Sequence, residues 1–399
     1  MNKKLNYNST LIASFIGYIV QAIVNNFLPL LFIIIQDTYH VTLANITLLV
    51  TVNFGVQLIT DLVSVSFIDR IGYKMSVILA HALAGIGLVL LAFLPEYFSN
   101  PFIGFLIPVV IYAIGGGLLE VLISPIVEAL PTSNKEKAMS LLHSFYCFGH
   151  VIVVLITTIF FLIFGTKNWQ ILALIFALIP ISNMFYFMKA PIRKLNEDHS
   201  KELKVKDLIK KKIFWLFVLL MITSGASEQS VSQWASKFVQ DELGLNKIYG
   251  DLLGPMLFAT MMGISRFFYG KYGEKVKLER FMYISAFLAV ISYLMISIIP
   301  SPIIGLIGFS ICGLSVGIMW PGTFSIASKE ILGAGTSMFA LLALAGDLGA
   351  SLGPTVVGMV ASTLNDNLKL GILAAIIFPI GVIVLLVGKN RIIKKLETV

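Results

Sequence analysis

Charge is scarce in this chain: of its 399 residues only 13% are Asp, Glu, Lys or Arg, while 57% are hydrophobic and the mean hydropathy is +0.92. So few charges cannot cover the surface of a water-soluble protein of this length, which excludes a string of soluble domains. Cysteine is nearly absent. Cys147 and Cys312 both lie inside apolar runs, so no disulfide framework is indicated and both read as packing residues. A phosphate-binding loop is missing: the nearest approach, Gly263 through Gly270-Lys271, has the wrong spacing and no Ser or Thr after the Lys. The chain itself is therefore not expected to use ATP. No compact nucleophile-and-base set or metal motif is visible, which argues against an enzyme and leaves no cofactor to expect. The 29 basic residues outnumber the 21 acidic ones but form no basic domain, so nucleic acid is not an expected partner.

What the sequence does have is apolar runs of roughly 20 residues, the length that crosses a hydrocarbon core of about 30 Å. Breaks at charged, Pro and Gly residues place helices at 11–35, 44–69, 74–95, 102–129, 137–164, 169–188, 213–235, 250–271, 279–299, 302–327, 336–363 and 368–388. The fold class is thus an all-α integral membrane protein of twelve helices in a lipid bilayer. The first run is longer than a signal-peptide core and no small-residue cleavage site follows it, so it reads as a retained helix. Cytoplasmic loops carry the excess of Lys and Arg. With both termini inside, Lys167, Lys237, Lys247 and Lys369 are the only basic residues on the outer side, and Arg266 alone falls within a helix. That asymmetry predicts a cytoplasmic (inner) membrane protein with both termini cytoplasmic.

The longest polar stretch, 189–212, carries nine Lys and Arg and reads as a cytoplasmic linker between a bundle at 1–188 and another at 213–399. The halves share an internal repeat. Gly117 to Pro125 in helix 4 has the same spacing as Gly313 to Pro321 in helix 10; Gly72 matches Gly273, and Gly149 in helix 5 matches Gly349 in helix 11. Two pseudo-symmetric six-helix bundles are expected, an architecture that transporters use for alternating access.

The junction Asp69-Arg70-Ile71-Gly72-Tyr73-Lys74 resembles the loop signature of the major facilitator superfamily. The resemblance implies that Asp69, Arg70 and Lys74 clamp the inner ends of neighbouring helices while Gly72 permits a tight turn. A narrower resemblance, to the fucose and glucose/galactose permease branch, covers most of the chain and is carried by VNNFLPLLF in helix 1, GGGLLEVLISPIVEALP in helix 4, LLHSFYCFGH in helix 5 and GASEQSVSQW in helix 7. It implies a role for Glu120 in sugar binding or proton coupling, and likens Glu228 and Trp234 to the branch's helix 7 acid and aromatic. Where the branch often has an acid in helix 1, this chain has Asn25 or Asn26.

Ionisable groups at membrane depth cost at least about 2.5 kcal/mol, so they mark partners or watery cavities. Asp61, Glu120, Glu228, Arg266 and Asp347 stand out. Asn53, Gln57 and Asp61 form a polar stripe on helix 2, with Ser64 a turn on. Asp61 and Glu120 are expected to share a proton or sodium ion, since two carboxylates in one low-dielectric cavity cannot both stay charged without a cation; local neutralisation of each is the alternative. Asp347 joins them as a candidate coupling residue. Arg266 either pairs with Asp347 or holds an anionic solute group. Gln21 and Asn25 on helix 1, with Asn26 beside them, and Gln229, Gln233 and Trp234 on helix 7 suit a sugar, because amides address hydroxyls and an indole stacks on a ring face. Interhelical bonding is the competing use of these amides. His143, Cys147 and His150 share one face of helix 5 without matching acids; they read as cavity-lining donors, His143 towards the solute, rather than a metal site.

The expectation is a monomeric secondary transporter for a small polar solute, a sugar or sugar derivative, coupled to a cation. Efflux of drugs or metabolites by antiport is the alternative. It draws on the absent helix 1 acid and on 14 Met and 29 Phe, which could line a permissive pocket.

Overall fold

The computed structural model describes residues 6–131, 135–192, 205–272, 277–331 and 336–397. Among the described residues, twelve helices are long and apolar enough to cross a membrane: α1 (Tyr7–Tyr39), α2 (Leu43–Ser64), α3 (Tyr73–Tyr97), α4 (Pro101–Val127), α5 (Ser144–Phe164), α6 (Thr166–Lys189), α7 (Lys212–Ser232), α8 (Lys247–Tyr269), α9 (Leu278–Ile298), α10 (Pro302–Glu330), α11 (Met338–Thr363) and α12 (Leu368–Lys389). No strand occurs among the described residues. Helices are the form such apolar runs must take in lipid, because each satisfies its own backbone donors and acceptors where no water can. The chain is an all-α, multi-pass membrane protein of the twelve helices read from the sequence.

It divides into two units, Met1–Glu197 and Asp198–Val399. In the first, α1 packs on α4, α5 and α6, and the α2–α3 pair packs on α4 and α6. In the second, α7 packs on α10, α11 and α12, α8 packs on α10, and α9 packs on α10 and α12. Two of the glycine matches have the same use in each unit. A Cβ on Gly117 would stand 2.9 Å from the Gln57 carbonyl oxygen of α2, and one on Gly313 would stand 2.3 Å from the Phe258 carbonyl oxygen of α8. Gly149 lies against Ile19 and Ala22 of α1, and Gly349 against Ile222 and Ala226 of α7. Small residues let these backbones touch, the main source of helix association once lipid removes the hydrophobic drive. The third match ends at Gly273, outside the described residues.

Its partner Gly72 has φ 83° and is the non-helical residue between α2 and α3. The chain changes direction there on one glycine, a backbone conformation that a side chain would strain. Lys74 follows and donates to the Ala190 carbonyl beyond the end of α6, at 3.3 Å. Carbonyls at a helix C-terminus lack an intrahelical donor, so the lysine ties α3 to α6. Arg70 is exposed, and the side chain of Asp69 lies outside the described ones.

Several spans are interrupted where the sequence ranges run on unbroken. In α1 the α-helix ends at Asn26 and resumes at Phe32 after a 3-10 turn, Leu28–Leu31. Pro29 causes this, because it lacks the N–H that the Asn25 carbonyl would accept. Beyond α7 the chain resumes as the short helix Ala235–Asp241 after Gln233 and Trp234. α8 holds a π-turn at Leu252–Met256 that contains Pro255, and α10 loosens between Val316 and Met319.

Candidate functional site

In the N-terminal unit the polar stripe of α2 faces α1 and α4. Gln21 donates to Gln57 Oε1 and to Glu120 Oε2, both at 3.0 Å. Gln57 donates to Asn25 Oδ1 at 2.8 Å, and Asn53 approaches the same oxygen at 3.5 Å. A carboxylate oxygen of Asp61 and one of Glu120 lie within 4.8 Å of each other. One turn on, Ser124 bonds the Tyr18 hydroxyl at 2.9 Å. Asn26 donates to the Ala22 carbonyl at 2.9 Å and to Tyr146 of α5 at 3.4 Å. Asn53, Gln57 and Asp61 are buried, as are Gln21, Asn25 and Asn26. Glu120, Gln21, Gln57, Asn25 and Asn53 are thus one hydrogen-bonded cluster, with Asp61 beside it. Its hub is Gln57, which the sequence placed in the α2 stripe but not among the site residues.

In the C-terminal unit Arg266 of α8 lies 3.7 Å from Glu228 of α7. Its Nε donates to the Gly317 carbonyl at 3.1 Å. Pro321, four residues on, cannot supply the N–H that Gly317 would otherwise accept, so the guanidinium occupies an acceptor that the break in α10 creates. Gln229 donates to Glu228 at 3.3 Å, and Gln233 to Gln229 at 3.0 Å. The sequence, which offered Arg266 either Asp347 or an anionic solute group, did not announce this partner on α7. Asp347 is buried on α11.

Trp234 is fully buried and its indole N–H donates to the Pro354 carbonyl of α11 at 3.0 Å. This bond anchors the end of α7 to α11. Cys147 and His150 are buried on α5, whereas the side chain of His143 lies outside the described ones. A buried histidine the sequence reading passed over, His81 of α3, bridges three helices. Its Nδ1 meets the Val77 carbonyl at 2.7 Å, its Nε2 meets Asn183 of α6 at 2.8 Å, and Asn183 also donates to the Ala13 carbonyl of α1 at 2.9 Å. One neutral tautomer, with the proton on Nδ1, satisfies all three bonds; His81 is a packing residue.

Two like six-helix halves, each with a buried polar cluster beside an interrupted helix, are the architecture of a secondary carrier. The chain belongs to the Major Facilitator Superfamily, whose family profile matches residues 10–354. Solved structures share the fold at low identity. The D-xylose-proton symporter gives a TM-score of 0.80 at 14% identity over 96% of this chain and 97% of that one. A bacterial homolog of the human lysosomal transporter Spinster gives 0.78 at 15% identity, with 96% and 97% covered. The E. coli fucose:proton symporter gives 0.66 at 16% identity, with 95% and 98% covered. No curated protein matches the sequence. The family and these neighbours are transporters, and the chain is a transporter of that superfamily.

Proposed function

We propose that this transporter moves a small polar solute, a sugar or sugar derivative, across the cytoplasmic membrane by alternating access, driven by a proton or sodium ion and acting as a monomer with both termini cytoplasmic. The observation that carries the reading is the continuous cluster Glu120–Gln21–Gln57–Asn25, with Asp61 within 4.8 Å of Glu120. Two carboxylates that close in a low-dielectric interior favour an added cation, and amides around them suit hydroxyl groups. Asp61 and Glu120 take the cation; Gln21, Asn25 and Asn26, with Glu228, Gln229, Gln233 and Arg266 in the other half, address the solute. Asp347 assists the cation, and Asp69, Arg70, Gly72 and Lys74 steady the inner helix ends. The symporters for xylose and fucose among the structural neighbours agree with this class of solute.

The test is thermal stabilisation of the detergent-purified protein by monosaccharides and amino sugars, each with and without sodium at acid and alkaline pH. A ligand that binds the folded state raises its stability with the logarithm of concentration over dissociation constant. Stabilisation by one sugar, enhanced by sodium or by acid and lost in Glu120→Gln, is the expected result. Stabilisation by lipophilic cations alone would overturn it.

A further inference from the structure

The α1 amides Gln21, which holds Glu120, and Asn25 meet through one side chain that was assigned neither to the solute nor to the cation. Gln57 accepts at Oε1 from Gln21 and donates from Nε2 to Asn25 Oδ1 at 2.8 Å and to the Asn53 carbonyl at 3.3 Å. A primary amide offers two N–H donors and one carbonyl acceptor. Both donors of Gln21 are committed, to Glu120 and to Gln57, and both donors of Gln57 are committed as well.

The direction of this chain is set at its Glu120 end. An ionised carboxylate only accepts, so Gln21 must turn its nitrogen to it; Gln57 then presents oxygen to Gln21 and nitrogen to Asn25. The arrangement leaves Gln21 Oε1, and Asn53 Oδ1 beyond it, buried without a hydrogen-bond donor. A buried acceptor left so costs on the order of 1–3 kcal/mol. A proton on Glu120 Oε2, or a sodium ion at the carboxylates, reverses the requirement, because either one is matched by the oxygen of Gln21 and not by its N–H. With Gln21 turned over, Gln57 must turn its nitrogen towards Gln21 and its oxygen towards Asn25, and Asn25 must answer with an N–H.

We propose that Gln57 is a positioning residue that transmits cation occupancy of the Asp61–Glu120 pair to Asn25 by reversal of the Gln21–Gln57–Asn25 amide chain, so that the solute meets a different donor and acceptor pattern in each state. The inference rests on the reading of the pair as a cation site. On the helices packed against α4 in this half, Tyr18 of α1 is held by Ser124, Tyr146 of α5 by Asn26, and His81 of α3 by Val77 and Asn183, while Cys147 and His150 are buried on α5. Asp61 of α2 is the acid that shares the cation with Glu120.

Infrared difference spectra of the full chain in lipid, recorded on adding sodium chloride at alkaline pH and separately on acidifying without sodium, test this and tell the two cations apart. The unmodified protein is expected to show a carboxyl change together with a side-chain amide carbonyl change. Gln57→Met, close in size but without an amide, should keep the carboxyl change and lose all the amide signal except the share of Gln21. Asn25→Ala, on another helix, should keep the carboxyl change and lose the share of Asn25, which guards against a variant that does not fold. An amide signal undiminished in Gln57→Met, or a carboxyl change without any amide change in the unmodified chain, would overturn the relay alone. No carboxyl change under either condition would overturn the cation reading and the relay with it.

Discussion

In the N-terminal half two carboxylates lie within 4.8 Å of each other, and no Lys or Arg falls inside α1, α2, α4 or α5, whereas in the C-terminal half Glu228 lies 3.7 Å from Arg266. The two halves share a helix packing pattern down to matched glycines at matched crossings. The scaffold therefore does not dictate the charge arrangement. On the α7–α8 side, acid and base are supplied by the same half and tie a helix break in α10; on the α2–α4 side the like charges are placed where an exchangeable cation would settle them.

The comparison predicts opposite signs for charge removal. Asp61→Asn and Glu120→Gln should each abolish the effect of sodium or acid on thermal stability and on uptake, a coupling of about 1–3 kcal/mol in systems of this kind, and should leave the resting protein as stable or more so. A variant that keeps the full cation effect would break the distinction between the halves. Arg266→Gln should instead destabilise, by about 3 kcal/mol, because it strands Glu228 and the Gly317 carbonyl; the arginine is 24% exposed, which places the loss at the low end for a buried pair. The double variant Glu228→Gln/Arg266→Gln should recover part of that loss in the same melting experiment.

The packing sharpens the contrast on a smaller scale. A methyl on Gly349 would come 2.0 Å from the Ile222 carbonyl oxygen, a backbone atom that cannot yield, while on Gly149 it would come 2.8 Å from the Ala22 side chain. Gly349→Ala should cost about 2 kcal/mol and Gly149→Ala less, within the usual range for overpacking, read as a difference in melting temperature. Trp234→Phe should show the smallest effect, about 1 kcal/mol for the lost hydrogen bond to Pro354. A large loss of solute affinity in the same variant would assign Trp234 to the solute, and an unchanged affinity to packing alone.

The helix count was legible because it depends only on the length of apolar runs against the thickness of a bilayer. Glycines at fixed spacing revealed the repeat for an equally local reason: a close crossing needs a small residue on the approaching helix. The α1 break was legible in principle from Pro29, yet the interruption after α7 has no proline at Gln233 or Trp234 to announce it. Trp234 shows the limit of residue type as a guide, since an indole serves stacking or packing equally, and its bond to Pro354 comes from a distant helix. His81 was overlooked because nothing polar sits beside it in sequence; its partner Asn183 comes from α6.

By itself, then, the sequence determined twelve membrane helices, a duplicated architecture and a short set of intramembrane charges and amides. The tertiary structure decided which of them meet: Gln57 as the bridge between Gln21 and Asn25, Glu228 beside Arg266, and Trp234 turned into the protein. The reason is physical. Among membrane helices lipid tails are as apolar as the side chains, so hydrophobic pattern does not select which face of a helix turns to its neighbour, and the rotation that brings two polar groups together is set by close packing between segments far apart in the chain.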